Sequence, residues 1–368
     1  MGLLAERGDR QAAERMMGMR PFSTLPLAAL LLSWLFAPVA FGNDPEPFQR
    51  RNPVTEAVKK TKPSIVCIKV PRPGGGKDMI GSGVIVDERG IIVTNRHVVG
   101  AKSNVTVCLH DDTKLEGEVF KSDPACDLAI VRIHTGKKLT ALPLAPVNDL
   151  IVGETVIAIG HPYGYTNTVS TGIISALDRE IEMPTRDVIT GLIQITAAIN
   201  PGNSGGALLN VNGELIGINV ALREGAQNIA FAINAGDVKT FLGKHLPAKK
   251  VSGIDHGLEY KEKTLGEVGD RQRVVLTSAA TGSLKSGDEL LAVDGLHVAN
   301  AFDVERSLWG RKPGEHVALK VVRQGQPMTV ILTLTADQGA GQVADLGPMR
   351  APLTAASATA GVPVSDRR

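Results

Sequence analysis

INPGNSGGALLNVNGELIGINV, Ile199 to Val220, is the stretch whose reading decides the fold. It places Ser204 among glycines, immediately ahead of two apolar runs. Gly202 to Gly206 matches G-x-S-x-G, the nucleophile elbow of α/β-hydrolases, in which a strand turns sharply into a helix behind the serine. The residues that follow exclude an elbow. ALLNVNGELIGINV sets two apolar runs about Asn212-Gly213, a hairpin signal, where an elbow needs a helix. Ser204 is therefore either a nucleophile in a shaped turn between strands or a small residue in a glycine-rich loop.

Working outward, Ser64 to about Gly236 is a series of short β-branched runs broken by Gly, Asn, Asp and Pro. SIVCIKV, SGVIVDERGIIVTN, NVTVCLHDDTKLEGEVF, DLAIVRI, ETVIAIG and NTVSTGIISAL have the length and spacing of strands in an all-β sandwich or barrel pair. Helical spacing is confined to PVTEAVKKT (Pro53 to Thr61) and AGDVKTFLGKHL (Ala235 to Leu246). A break follows at PAKKVSG, Pro247 to Gly253. The next segment has mixed order, with strands RVVLT and DELLAVDG, a helix AFDVERSLWG, and strands HVALKVV and MTVILTLT, which predicts a second, smaller α+β domain.

A serine hydroxyl is a weak nucleophile until a base takes its proton, and the base needs a third group to fix its tautomer. Eight histidines are available. His97 stands just past the apolar strand GIIVTN, a common place for functional groups. His161, after VIAIG, is its rival on pattern alone. Among the carboxylates, Asp127 begins the apolar run LAIVRI, where a buried carboxylate is tolerated only with partners. Asp123, in the same segment, reads as an ordinary turn aspartate.

With these residues in view, the chain resembles the HtrA/Deg serine proteases. Ser204 lies in AAINPGNSGGALLN, His97 in GSGVIVDERGIIVTNRHVV and Asp127 in DPACDLAIVRI, in the family's order. The resemblance runs from about Pro53 to Val238 and more weakly to Ala336. It implies a mainly β fold, a chymotrypsin/trypsin-like double β-barrel with the site in the cleft, followed by a small α+β PDZ-like domain. The implied boundaries are a signal peptide or N-terminal anchor over 1–42, a protease domain over 43–246, a PDZ-like domain over 247–337 and a disordered tail over 338–368.

The implied catalytic triad is His97, Asp127 and Ser204, with an oxyanion hole at Gly202, Asn203 and Ser204 and a substrate pocket at Ala198, Asn219, Val220 and Ala221. His161 would then belong to a structural turn. The position six before the nucleophile, acidic in trypsin-like enzymes, is Ala198, so small or medium aliphatic residues are expected before the cut bond. Thr196 stands where the family usually has Asp, and Arg96 where it has a short uncharged residue. GDELLAVDG is typical of bacterial PDZ modules, which take a peptide as an added strand. Its carboxylate-binding loop is not evident, with VSGI and HGLE each a partial candidate. Unfolded proteins or peptides are the implied substrates, a C-terminal peptide the implied ligand of the PDZ-like domain, and a homotrimer or higher oligomer the implied assembly. A non-catalytic chaperone or scaffold on the same fold is the alternative.

Composition narrows the partners. Lys plus Arg, 40, and Asp plus Glu, 38, nearly cancel, so the field that draws proteins to nucleic acid is absent. Cys67, Cys108 and Cys126 form no C-x-x-C pair and stand at no zinc spacing to a histidine, so they read as buried free thiols and no metal or other cofactor is expected. GGGKD lacks the spacing and hydroxyl of a phosphate loop. Arg15 and Arg20 precede LPLAALLLSWLFAPVAFG, Leu25 to Gly42, with a small-x-small site at Ala40-Phe41-Gly42. That pattern predicts secretion, with cleavage before Asn43, or an uncleaved anchor as the rival, and a periplasmic location for the remainder.

Overall fold

The computed structural model describes residues 50–72, 74, 76–146, 150–161, 168–182, 187–222, 228–264, 272–278 and 283–337. The expected signal segment and tail lie outside them. A first helix, α1 (Pro53–Thr61), starts at Asn52, whose side chain accepts from Thr55 N–H while the Thr55 side chain accepts from Asn52 N–H. This reciprocal cap, with Pro53 in the first turn where no N–H is needed, explains why the helix begins there.

Two closed six-stranded barrels follow. The first contains β1 (Ile65–Val70), β2 (Met79–Asp87), β3 (Ile91–Asn95), β4 (Asn104–Cys108), β5 (Lys114–Asp123) and β6 (Leu128–Ile133), in the order β1-β2-β3-β6-β5-β4. A one-turn helix, α2 (Arg96–Val99), leaves β3. The second barrel contains β7 (Thr155–Gly160), β8 (Thr168–Glu182), β9 (Val188–Ile195), β10 (Ala207–Leu209), β11 (Leu215–Leu222) and β12 (Ala230–Asn234), in the order β10-β11-β12-β9-β8-β7.

Alternation along the strands makes three layers of core. On β6, Ala129, Val131 and Ile133 fill the first barrel with Val66, Ile68, Ile85 and Ile92. On β7, Val156 and Ala158 fill the second with Ile193, Ile195 and Leu208. The opposite faces, among them Leu128, Ile130, Ile157 and Ile159, pack between the barrels. Each such side chain contributes about 1.5–3 kcal/mol on burial, so a one-residue register slip would forfeit both layers at once. That intermediate layer continues through α3 (Ala235–His245) and α4 (Ala248–Ser252) to Phe302 and Trp309 in the C-terminal domain. The basic break at Pro247 to Gly253 is therefore no free linker: it holds α4, with Ala248 and Val251 buried.

The C-terminal domain is a sheet of β14 (Tyr260–Thr264), β15 (Gln272–Leu276), β16 (Glu289–Val293), β18 (His316–Arg323) and β19 (Gln326–Thr333), in that order. β17 (Leu296–His297) pairs with β16, and β13 (Ile254–Asp255) with β20 (Thr335–Ala336). Helix α5 (Ala301–Ser307) is capped by Asn300, which accepts from Asp303 N–H. Among the described residues no helix is long and apolar enough to cross a membrane.

Candidate active site

Asn95 ends β3 and its backbone remains extended, so the chain turns directly into α2 and carries His97 on its first turn. Asp127 ends the loop before β6 and adopts a left-handed conformation, φ 51°. That conformation is uncommon for a side chain other than glycine, and aspartate tolerates it better than most. The bend aims the aspartate back at α2. Its Oδ1 accepts the His97 main-chain N–H at 3.0 Å and its Oδ2 lies 2.7 Å from His97 Nδ1. Its carbonyl accepts from Arg96 N–H at 2.9 Å and Asn95 Nδ2 at 3.2 Å. Asp127 is 4% exposed, so its charge depends on these partners.

Ser204 lies in the loop before β10, and the first barrel grips that loop. Ser82, fully buried on β2, donates its main-chain N–H to Ser204 O at 2.8 Å and its hydroxyl to Gly202 O at 2.6 Å. The same hydroxyl accepts His161 N–H at 2.8 Å, and Ser82 O accepts the Thr94 hydroxyl at 2.6 Å. The approach is close enough to require glycine at 205. A Cβ there would lie 2.2 Å from Ser82 O and 2.3 Å from Thr94 Oγ1, and φ is already +82°. Within the second barrel, Gly205 N–H donates to Asn219 O and Asn219 N–H to Gly206 O, both at 2.9 Å. The result brings the loop of Ser204 against the strand that leads into His97.

The Ser204 hydroxyl donates to Val220 O at 3.2 Å. Gly202 has φ 102° and Asn203 N–H donates to Asn200 O at 2.9 Å, which shapes the loop ahead of the serine into a tight turn. Asn203 is buried, and its Oδ1 has no partner.

Two domain families match. Residues 81–218 match the trypsin-like peptidase domain and residues 268–334 the PDZ domain. A probable periplasmic serine endoprotease, DegP-like, from Brucella suis is 34% identical over 282 residues, covering 72% of this chain and 54% of that protein. The periplasmic serine endoprotease DegP of Salmonella typhimurium is 37% identical over 272 residues, covering 69% of this chain and 56% of that protein. The chain belongs to the HtrA family. It spans a little over half the length of these curated relatives. A serine endoprotease structure from Yersinia pestis aligns with TM-score 0.47 and 27% identity over 78% of this chain and 98% of that one.

The other residues expected at the HtrA site occupy distinct places. Ala198 is exposed, and its carbonyl accepts the Ser170 hydroxyl at 2.7 Å. Asn219 is buried with its Nδ2 on Ala207 O at 2.9 Å, and the Val220 side chain is in the layer between the barrels. What Val220 offers the loop of Ser204 is its carbonyl. Ala221 follows on β11, with its side chain outside the described residues. Thr196, just past β9, bonds to the neighbouring strand, its Oγ1 accepting Ile173 N–H at 2.9 Å. His161 is 2% exposed, and burial pushes its imidazole down to about 4. It is neutral at physiological pH and contributes its main-chain N–H to Ser82. Among the described residues no group of three or more His, Cys, Asp or Glu is placed to hold a metal.

Sequence reasoning did not single out Ser82 or Thr94. Both lie inside GSGVIV and GIIVTN as plain strand residues; Thr94 finds its partner on the neighbouring strand, at Ser82 O, and only the pairing of the two barrels brings the Ser82 hydroxyl to Gly202 O and His161 N–H. It also missed a buried node between the domains. Asp87, at the end of β2, takes Arg89 Nε at 2.7 Å and Nη2 at 2.8 Å, and Arg89 Nη2 also donates to Arg306 O at 2.9 Å. The Arg89 guanidinium lies 4.6 Å from the centre of the Trp309 ring, while Trp309 Nε1 donates to Leu246 O at 3.1 Å. Burial works to raise the Asp87 carboxyl, but the charge and hydrogen bonds of Arg89, with the charge of Arg306, hold it below the usual range.

A second node joins α5 to β14. Glu305 accepts from Ala248 N–H at 2.7 Å and from the Tyr260 hydroxyl at 2.5 Å, with His256 Nε2 at 3.3 Å. Burial would raise Glu305 too, and the hydrogen bond and charge of His256, with the Tyr260 hydroxyl, hold it down.

Proposed function

We propose that this chain is an extracytoplasmic serine endopeptidase that cuts unfolded or damaged proteins with His97, Asp127 and Ser204. The observation that carries this reading is the double grip of Asp127 on His97, at 3.0 Å to its main-chain N–H and 2.7 Å to Nδ1. A carboxylate held so close to Nδ1 keeps the proton on that nitrogen and leaves Nε2 free as a base. In the reaction His97 takes the proton of the Ser204 hydroxyl as Oγ attacks the peptide carbonyl, then returns it to the leaving amine. Asp127 stabilises the imidazolium in between. The N–H groups of Gly202 and Ser204 receive the developing oxyanion, with Asn203 fixing the turn; one such donor is worth about 2.7–4 kcal/mol. Ser204 must first turn from Val220 O toward His97, a side-chain rotation.

Small or medium aliphatic residues before the cut bond fit this site, since Ala198 provides no carboxylate for a basic side chain. Cleavage of a peptide library mainly after Lys or Arg would count against that preference. The place of β14 as the end strand of its sheet among the described residues supports capture of a C-terminal peptide as an added strand. Titration with C-terminally apolar peptides tests it; no saturable binding would leave the domain as a cover fastened by Glu305. For the chemistry, a fluorophosphonate probe should label wild type and not Ser204→Ala, and only wild type should degrade unfolded casein. A wild type that never labels, with substrate present, would sink the protease reading in favour of a chain binder.

A further inference from the structure

Cys67 and Cys108 lie directly opposite each other on β1 and β4, the antiparallel pair that closes the first barrel. The seam consists of Cys67 with Cys108, Ile68 with Val107 and Lys69 with Thr106, whereas β1 pairs with β2 along its whole length from Ile65 to Val70. Val66, Ile68, Val105 and Val107 point into the barrel. Alternation therefore turns both cysteines to the same outer face of the sheet. Opposed residues of an antiparallel pair have Cα atoms about 4.5–5.5 Å apart, within the range of about 4.4–6.8 Å that disulfides span. The thiols are free in this structure.

The two sulfurs differ in access. Cys67 is 4% exposed, and burial, with the neighbouring Cys108, raises its thiol to about 11. Cys108 is more open. Cys126 is on a different part of the barrel, just before Asp127, and burial raises it to about 11 as well.

We propose that Cys67 and Cys108 are an oxidation site, closed into a cross-strand disulfide by a dithiol–disulfide oxidant outside the cytoplasm. The Cys108 thiolate attacks one sulfur of the oxidant's disulfide and expels the other as a thiolate. Cys67, losing its proton to solvent, then attacks Cys108 Sγ in the mixed disulfide and expels the oxidant's second thiolate. Two electrons pass from the cysteine pair to the oxidant, which leaves as the dithiol. The loop so closed carries Ser82 and His97, so the bond would staple the short seam of the half-barrel that presents the base. The location of the oxidant rests on the extracytoplasmic reading; the pairing of the sulfurs rests on strand register alone.

The test uses the purified full chain, incubated folded with glutathione disulfide, then acid-quenched, alkylated and digested without reduction. The expected product is a Cys67–Cys108 linked peptide, with Cys126 still alkylated. Tm should rise by about 5–10 °C over the reduced protein, a gain that Cys108→Ser cannot show. Glutathione retained on Cys108, or both cysteines alkylated after oxidation, would overturn the proposal. Fluorophosphonate labelling of the same sample reports separately on the protease reading, since it depends on Ser204 and not on the state of the thiols. Where the chain is isolated from the cell envelope, trapping before lysis should find the same linked peptide.

Discussion

Replacing Ser82 with alanine removes one hydroxyl that serves two main-chain groups from a fully buried position. Gly202 O loses a donor at 2.6 Å and His161 N–H loses an acceptor at 2.8 Å. A buried group stripped of its partner costs about 1–3 kcal/mol, so the two together set a ceiling of about 6 kcal/mol, and partial relaxation of the loop brings the expected loss to about 2–4 kcal/mol. In a chain with barrels of this size that is a fall of about 5–15 °C in Tm. The catalytic effect has its own limit. Losing an oxyanion donor outright costs about 10²–10³ in kcat. Ser82 still holds Ser204 O through its own main chain at 2.8 Å, so only part of the loop is released. We expect kcat on a peptide substrate to fall about 10–100-fold with KM within about twofold, because the oxyanion forms only in the transition state. Thr94→Val is the control. It deletes a hydrogen bond of 2.6 Å to Ser82 O but leaves the hydroxyl bridge to Gly202, so it should lower Tm with less effect on kcat. The assay is steady-state hydrolysis below both melting temperatures. Equal kcat in Ser82→Ala and wild type, with Tm reduced, would show that the hydroxyl holds the fold and not the oxyanion loop.

Asp127→Asn should keep the bond from His97 N–H but set an amide N–H against Nδ1, driving the ring proton to Nε2; kcat should drop about 10⁴-fold with little change in KM or in the melting curve. Arg89→Met should cost about 3–5 kcal/mol, read by urea unfolding, because it removes both guanidinium hydrogen bonds from the buried Asp87 carboxylate and leaves Arg306, at 3.8 Å, as its charged partner. It should also shift Trp309 fluorescence, since the guanidinium lies on that ring. Asp87 and Glu305 both have carboxyls held below their ordinary values. Their contribution to stability is therefore complete above the unfolded range of about 4 and is lost as pH falls through it toward the folded value. Tm should decline between about pH 5 and pH 3, and Asp87→Asn should flatten that decline; a slope equal to wild type would remove Asp87 from the account.

How much of this is legible in sequence depends on the range of the interaction. Pro53 to Thr61 reads as a helix and is one, because Asn52, Pro53 and Thr55 are local signals. The hairpin at Asn212-Gly213 is legible for the same reason, although its turn is wider than two residues: Asn210 Oδ1 accepts both Asn212 and Glu214 N–H at 3.0 Å. Asp127 is found by its position against LAIVRI, but its left-handed bend is not, since nothing in DPACD demands it. YKEKT carries three charges in five residues and gives no strand signal, yet β14 forms because one face contributes Tyr260 to the core and the edge keeps Lys261 and Lys263 in solvent. Ser82 and the Arg89 node are invisible for a stronger reason. Their partners lie 120 residues away for Ser82 with Gly202 and 217 for Arg89 with Arg306, and no periodicity encodes such a pairing.

The resting place of the Ser204 hydroxyl bears on how such a site could be held in check. A neutral hydrogen bond is worth about 0.5–1.5 kcal/mol net, so exchanging Val220 O for His97 changes the reactive population by at most about tenfold. Parking the hydroxyl is thus too weak to serve as an off state by itself. A deeper block has to act on groups that cannot rotate freely, such as the main chain around residues 202–204, where Ser82 holds the carbonyls that follow the Gly202 and Ser204 N–H groups. The strand that carries Ser82 ends at Asp87, in the node that clasps Arg89, Arg306 and Trp309. One strand of the first barrel therefore touches the loop of Ser204 toward one end and the C-terminal domain at the other. If that strand transmits a displacement of the domain, Arg89→Met should alter kcat as well as stability; a kcat equal to wild type at temperatures where the variant is folded would confine the node to holding the domains together.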